Sequence, residues 1–128
     1  MKLRIHEGSL RLRLNRSDVE QFRETGICAE SLRFGSGSQL IYTLEICSRL
    51  TVMEAQYRQD CIRILLPIEM AQKWAGSDQI SVSLNRVDGS GPTLLIEKDC
   101  QCLHSDETNP NDDADAFPNP AGDQGSAG

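Results

Sequence analysis

Residues 61–98 read CIRILLPIEMAQKWAGSDQISVSLNRVDGSGPTLLIEK, and the stretch before them carries the same pattern. With Phe22 placed over Trp74, an offset of 52 residues held without gaps aligns the two halves. Leu10, Leu12 and Leu14 fall over Ile62, Ile64 and Leu66. Leu32 falls over Leu84, Gly37 over Gly89, Tyr42 over Leu94, and Leu44-Glu45 over Ile96-Glu97. Upstream, Leu3 and Ile5 fall over Ala55 and Tyr57. Self-similarity at a fixed spacing outranks any single-residue signal, because each repeat is one unit of structure.

The unit is mostly β. Leu3 and Ile5 alternate with Lys2, Arg4 and His6, and Leu10, Leu12 and Leu14 alternate with Arg11 and Arg13. Period-two alternation predicts two strands with one buried and one wet face, and Glu7-Gly8-Ser9 supplies the turn between them. Residues 15–25 are expected to be a short helix with Val19 and Phe22 inward and Gly26 as its stop. Ser17 and Glu20 have capping-box spacing, and Asn15 is the alternative cap. Strands follow over 28–34 and 39–47, joined by Gly35-Ser36-Gly37-Ser38. The second half repeats the series: strands 54–59 and 61–66, a helix over 67–75 that buries Trp74, and strands 79–86 and 93–98.

Composition sets bounds on function. A chain of 128 residues with 38% hydrophobic residues supports one modest core. Its formal charge of −6 is unevenly placed. Residues 1–98 hold all 13 Lys and Arg and 12 acids; residues 99–128 hold the other 7 acids and no base. The acidity is therefore a property of the tail. No apolar run is long enough to span a membrane, and no secretory signal core is present. Five cysteines, at 28, 47, 61, 100 and 102, have no disulfide-framework spacing. A cytoplasmic location with reduced thiols is the expectation. From residue 105 onward Asp, Asn, Pro, Gly and Ser dominate. The expected division is a folded unit over 1–104, with repeats 1–47 and 53–98, and a disordered acidic tail over 105–128.

The series Arg63-Ile64-Leu65-Leu66-Pro67-Ile68-Glu69, then Trp74, then Ser77 through Val82, then Leu94-Leu95-Ile96-Glu97-Lys98 resembles the swapped-hairpin domain of AbrB/SpoVT-type transition-state regulators. In that family two copies from two chains interlace into one small barrel. The resemblance covers residues 1–98 and implies a β-barrel closed within one chain as a pseudo-dimer, either monomeric or a weak homodimer. It also implies a non-enzymatic, DNA-binding transcriptional regulator. Arg11 and Arg63 hold the family's Arg position, and with Lys2, Arg4, Arg13 and Arg58 they form the expected basic face. The bland alternative is that alternating Arg is simply the wet side of an amphipathic strand. The whole chain is also similar to an uncharacterised family of short bacterial proteins with a D-A-F-P-N-P tail, which implies no activity.

A second functional class stays open. Asp115-Ala116-Phe117-Pro118-Asn119-Pro120 sets one aromatic between prolines in an acidic tail. Phe117, Pro118 and Pro120 are the candidate partner-binding residues of an antitoxin-like interaction module; MazE-type antitoxins pair a DNA-binding hairpin domain with such a tail. Cys100, Cys102 and His104 are weak metal candidates, because zinc knuckles space their cysteines more widely and no second pair exists. No cofactor is expected. His6 and His104 are the only histidines, no nucleophile elbow or phosphate loop is present, and an enzyme is not expected.

Overall fold

The computed structural model describes residues 1–86 and 88–100. In chain order the elements are β1 (Lys2–His6), β2 (Ser9–Leu14), α1 (Arg16–Thr25), β3 (Ile27–Arg33), β4 (Gln39–Cys47), β5 (Glu54–Arg58), β6 (Cys61–Pro67), α2 (Ile68–Ala75), β7 (Ser81–Leu84) and β8 (Thr93–Lys98). The chain is thus mostly β with two helices. Its strands form two four-stranded sheets, ordered β1-β2-β8-β7 and β3-β4-β6-β5.

Each sheet takes one hairpin from each half of the chain. The hairpins meet along parallel seams, β2 beside β8 and β4 beside β6. Leu10 stands opposite Leu94 in one seam, and Tyr42 stands opposite Ile62 in the other. Those two pairs exchange under the 52-residue offset, so the repeat read from the sequence is a pseudo-twofold in space.

The expected closed barrel is not formed; the sheets stay open. Where closure would require strand-to-strand pairing, helices pack instead. α1 lies against β2 of one sheet and β3 of the other, and α2 lies against β6 and β4 of one sheet and β7 of the other. Inward residues of both sheets share one buried cluster, including Leu12, Leu14 and Ile96 from the first sheet and Leu44, Ile64 and Leu66 from the second. Phe22 and Trp74 complete it from the helices. Each fully buried side chain of this size contributes about 1.5–3 kcal/mol.

The two halves differ in three places. In α1 the cap is Asn15, whose side chain accepts from the Asp18 N–H while Asp18 accepts from the Asn15 N–H. The Ser17–Glu20 spacing is not used; Ser17 already lies inside the helix. In α2 the N-cap is Pro67, which makes no side-chain cap bond.

The gapless offset also breaks at β7. Leu44 and Ile96 are 52 apart, yet their inward partners Cys28 and Val82 are 54 apart. Leu84 therefore takes the place of Glu30 rather than that of Leu32, and β7 is shorter than the stretch 79–86. The added residues lie in the loop after α2, which wraps the larger aromatic. Trp74 donates its indole N–H to the Ile80 carbonyl at 2.9 Å, and the Lys98 ammonium stands 5.7 Å from the ring centroid.

The third difference surrounds Met1. Its amino group pairs with Asp18 at 2.8 Å and Glu30 at 3.1 Å, and its carbonyl accepts from the Tyr42 hydroxyl at 2.9 Å. Met53, the offset equivalent of Met1, is instead buried in the apolar core.

Candidate functional site

The outer face of the first sheet is set by strand alternation. With Leu3, Ile5, Leu10 and Leu12 on the inward side, Lys2, Arg4, Arg11 and Arg13 all fall on the other side. Register then brings them together: Lys2 stands opposite Arg13, and Arg4 opposite Arg11. Like charges set directly across a strand pair repel. One carboxylate offsets this. Glu97 on β8 is the register partner of Arg13 and sits one diagonal from Arg11. Its Oε1 accepts from Arg11 Nε at 2.7 Å, Arg13 Nε at 2.9 Å and Arg13 Nη2 at 2.8 Å. Burial acts to raise the Glu97 pKa, but the hydrogen bonds from Arg11 and Arg13 outweigh it and hold the carboxyl below its ordinary value. Lys2 and Arg4 are exposed, and neither makes an ion pair among the described residues.

Beside this row is an open depression of about 390 Å³, lined by Arg4, His6 and Arg11 together with the hydroxyls of Ser9 and Thr93. Ser9 Oγ already donates to the His6 carbonyl at 2.6 Å and Thr93 Oγ1 to Asn85 Oδ1 at 3.4 Å, so the guanidiniums of Arg4 and Arg11 are the donors suited to a phosphate or carboxylate oxygen.

Arg58 and Arg63 lie elsewhere, on the outer face of the second sheet. The six candidate residues therefore do not form one patch; four do, and two are separated from them by the exchange of hairpins. Arg63 is bidentate on Glu45, with Nε to Oε2 and Nη2 to Oε1 both at 2.9 Å. Those hydrogen bonds, chiefly, hold the Glu45 pKa below its ordinary value; burial opposes them, and the Thr43 hydroxyl at 2.7 Å adds to them.

Arg63 and Glu45 are the offset equivalents of Arg11 and Glu97, so each parallel seam carries the same ion pair. The surroundings differ. Where the first sheet has Lys2, Arg4, His6 and Arg13, the second has Glu54, Gln56, Arg58 and Leu65. The first set, with Arg11 and Glu97 and with His6 neutral, sums to +3; the equivalent set, with Arg63 and Glu45, sums to 0. Sequence reading missed His6, Ser9 and Thr93 as lining residues and the two glutamates as counterions. The offset contained the signal, since it carries both glutamates along with both arginines.

Other candidates resolve less. Gly35-Ser36-Gly37-Ser38 is a hairpin loop, with Phe34 N–H donating to the Ser38 carbonyl and positive φ at Gly35 and Gly37. Cys100 is half-buried, whereas Cys102 and His104 lie outside the described residues. Among the described residues no group of three or more His, Cys, Asp or Glu is placed to hold a metal. Phe117, Pro118 and Pro120, with the acidic segment 105–128, also lie outside the described residues. No helix among those described is long and apolar enough to cross a membrane.

Comparison with curated proteins and with solved structures returns no match for this chain. A family model does match, over residues 1–121, and so takes in both repeats and the Phe117-Pro118-Asn119-Pro120 segment. With nearly its whole length covered, the chain belongs to the family of unknown function DUF7009.

Proposed function

We propose that the protein is a non-enzymatic nucleic-acid-binding module, of regulatory type, that meets duplex DNA with the β1–β2 hairpin. The observation that carries this reading is the charge difference between pseudo-equivalent faces: +3 around Lys2, Arg4, Arg11 and Arg13, against 0 at the matching positions of the second sheet, Arg58 included. A merely solvated strand face gives no reason for the two repeats to differ by three charges. Lys and Arg on phosphate release condensed counterions, and this supplies most non-specific affinity. A two-stranded ribbon fits the major groove, and β1 is an edge strand, so the hairpin is accessible. The exchange of hairpins between halves also supports reading the architecture as a swapped-hairpin pair contained in one chain, the arrangement that the AbrB resemblance implies.

Fluorescence anisotropy with a labelled duplex at low salt tests the function. Binding by the full chain or its Phe117→Ala variant, lost in Lys2→Ala/Arg4→Ala but kept in Arg58→Ala, is the expected outcome. No binding by either chain, or binding indifferent to Lys2 and Arg4, overturns the reading.

A further inference from the structure

The sandwich is open at the end away from the helices. There an apolar cleft of about 430 Å³ is lined by Ile5, Leu10, Leu40, Tyr57, Ile62 and Pro92. These six are three pairs under the 52-residue offset: Ile5 with Tyr57, Leu10 with Ile62, and Leu40 with Pro92. The cleft therefore straddles the pseudo-twofold. Ile5 and Tyr57 belong to the inward sets of their strands, yet they are 65% and 66% exposed. A contiguous exposed apolar surface of this kind marks a binding site more often than an accident of packing.

We propose that the occupant is this chain's own segment 115–120, with the Phe117 ring in the cleft and Asp112, Asp113 and Asp115 against Arg4 and Arg11. Four observations select this occupant. First, Phe117 is the one aromatic residue between 101 and 128, and Pro118 and Pro120 beside it narrow the unbound chain's conformations. Second, the reach is right. Asp99 N–H donates to the Leu14 carbonyl, so β8 leaves its sheet at the helix end, about 20 Å from the cleft at the usual strand rise. Residues 101–116 span at most about 55 Å, and a chain of that length has a root-mean-square reach of about 20 Å.

Third, the charges are complementary. The segment 105–128 holds 6 acids and no base, and the cleft adjoins the basic depression: Ser9 and Leu10 line both. Fourth, the family match runs over residues 1–121 and so takes in this segment together with the folded repeats. Docked this way, the tail's carboxylates occupy the donors that a DNA phosphate would use. That consequence rests on the proposed function; the docking itself does not.

The test is nuclear Overhauser spectroscopy on the full chain with labelled Ile and Leu methyls, without nucleic acid. Expected are contacts from the Phe117 ring to the methyls of Ile5, Leu10 and Ile62. They should persist on tenfold dilution and vanish in Phe117→Ala, with shift changes confined to the cleft. Absence of these contacts, with cleft shifts unchanged by Phe117→Ala, overturns the docking. Contacts seen only between differently labelled copies also overturn it, since the occupant is then a second chain. In duplex binding, Phe117→Ala should raise affinity several-fold, and equal affinity overturns the competition between tail and phosphate. Failure of both chains to bind duplex overturns the nucleic-acid reading and leaves the methyl contacts to decide the docking.

Discussion

Phe22 and Trp74 meet edge to face at the centre of the molecule, with ring centroids 6.0 Å apart and planes at 67°. Each is fully buried, one comes from each half, and they are the offset equivalents from which the repeat is read. The contact makes the two halves one folding unit, because neither helix can bury its aromatic without the other.

Removing either ring should therefore unfold both halves together. Trp74→Ala and Phe22→Ala are each expected to cost about 3–5 kcal/mol, a large share of the roughly 5–15 kcal/mol that is typical of a domain. A double-mutant cycle with the milder changes Phe22→Leu and Trp74→Phe should show coupling of about 0.5–1.5 kcal/mol. Urea unfolding followed by circular dichroism measures both, and a single transition is expected in every variant.

Acid should weaken the seams. Glu97 and Glu45 have folded pKa values below their ordinary value, held there by arginine hydrogen bonds against the opposing effect of burial. A depressed carboxylate binds its proton more readily in the unfolded chain. Its contribution is therefore complete above the ordinary glutamate value of about 4.3 and is lost as pH falls through the lower folded value. The urea midpoint should be flat from pH 7 to 5 and fall below about pH 4. In Glu97→Gln the midpoint should be lower at neutral pH and the acid limb shallower.

The hairpin turns offer a stabilising change. Both are two-residue turns with positive φ at both positions: Glu7 at 44° and Gly8 at 79°, Gln59 at 51° and Asp60 at 62°. This pattern favours Asn-Gly, and the second turn has neither residue. Gln59→Asn/Asp60→Gly should raise stability by about 1 kcal/mol, read as a higher urea midpoint with unchanged slope.

Strand and helix identities were legible because the alternation around Leu10, Leu12 and Leu14, the Phe22 and Trp74 helices, and Gly26 each have a local cause. The hairpin at 7–8 and strands β4 and β8 are where alternation and turn residues put them. Pairing was less legible. Nothing local in β2 says that β8 lies beside it, and the Arg11 and Arg13 bonds to Glu97 span 86 and 84 residues of sequence. The two-residue slip at β7 was invisible because the loop after α2 has no fixed signature; it follows from the space the indole takes. For the same reason Arg58 and Arg63 read as companions of Arg11. Alternation puts all of them on wet faces, and only the exchange of hairpins assigns them to different sheets. The open end was hidden as well, since Ile5 and Tyr57 alternate like core residues and are exposed only because no helix covers that end.

The salt dependence of duplex binding tests the central claim most directly. Each phosphate contact adds about 0.9 to the slope of log affinity against log salt. Arg4→Ala/Arg11→Ala should lower the slope by roughly two, while Arg58→Ala/Arg63→Ala, on the second sheet, should leave it unchanged. Equal losses from the two pairs, or a slope that neither pair alters, would contradict a single basic face on the first sheet.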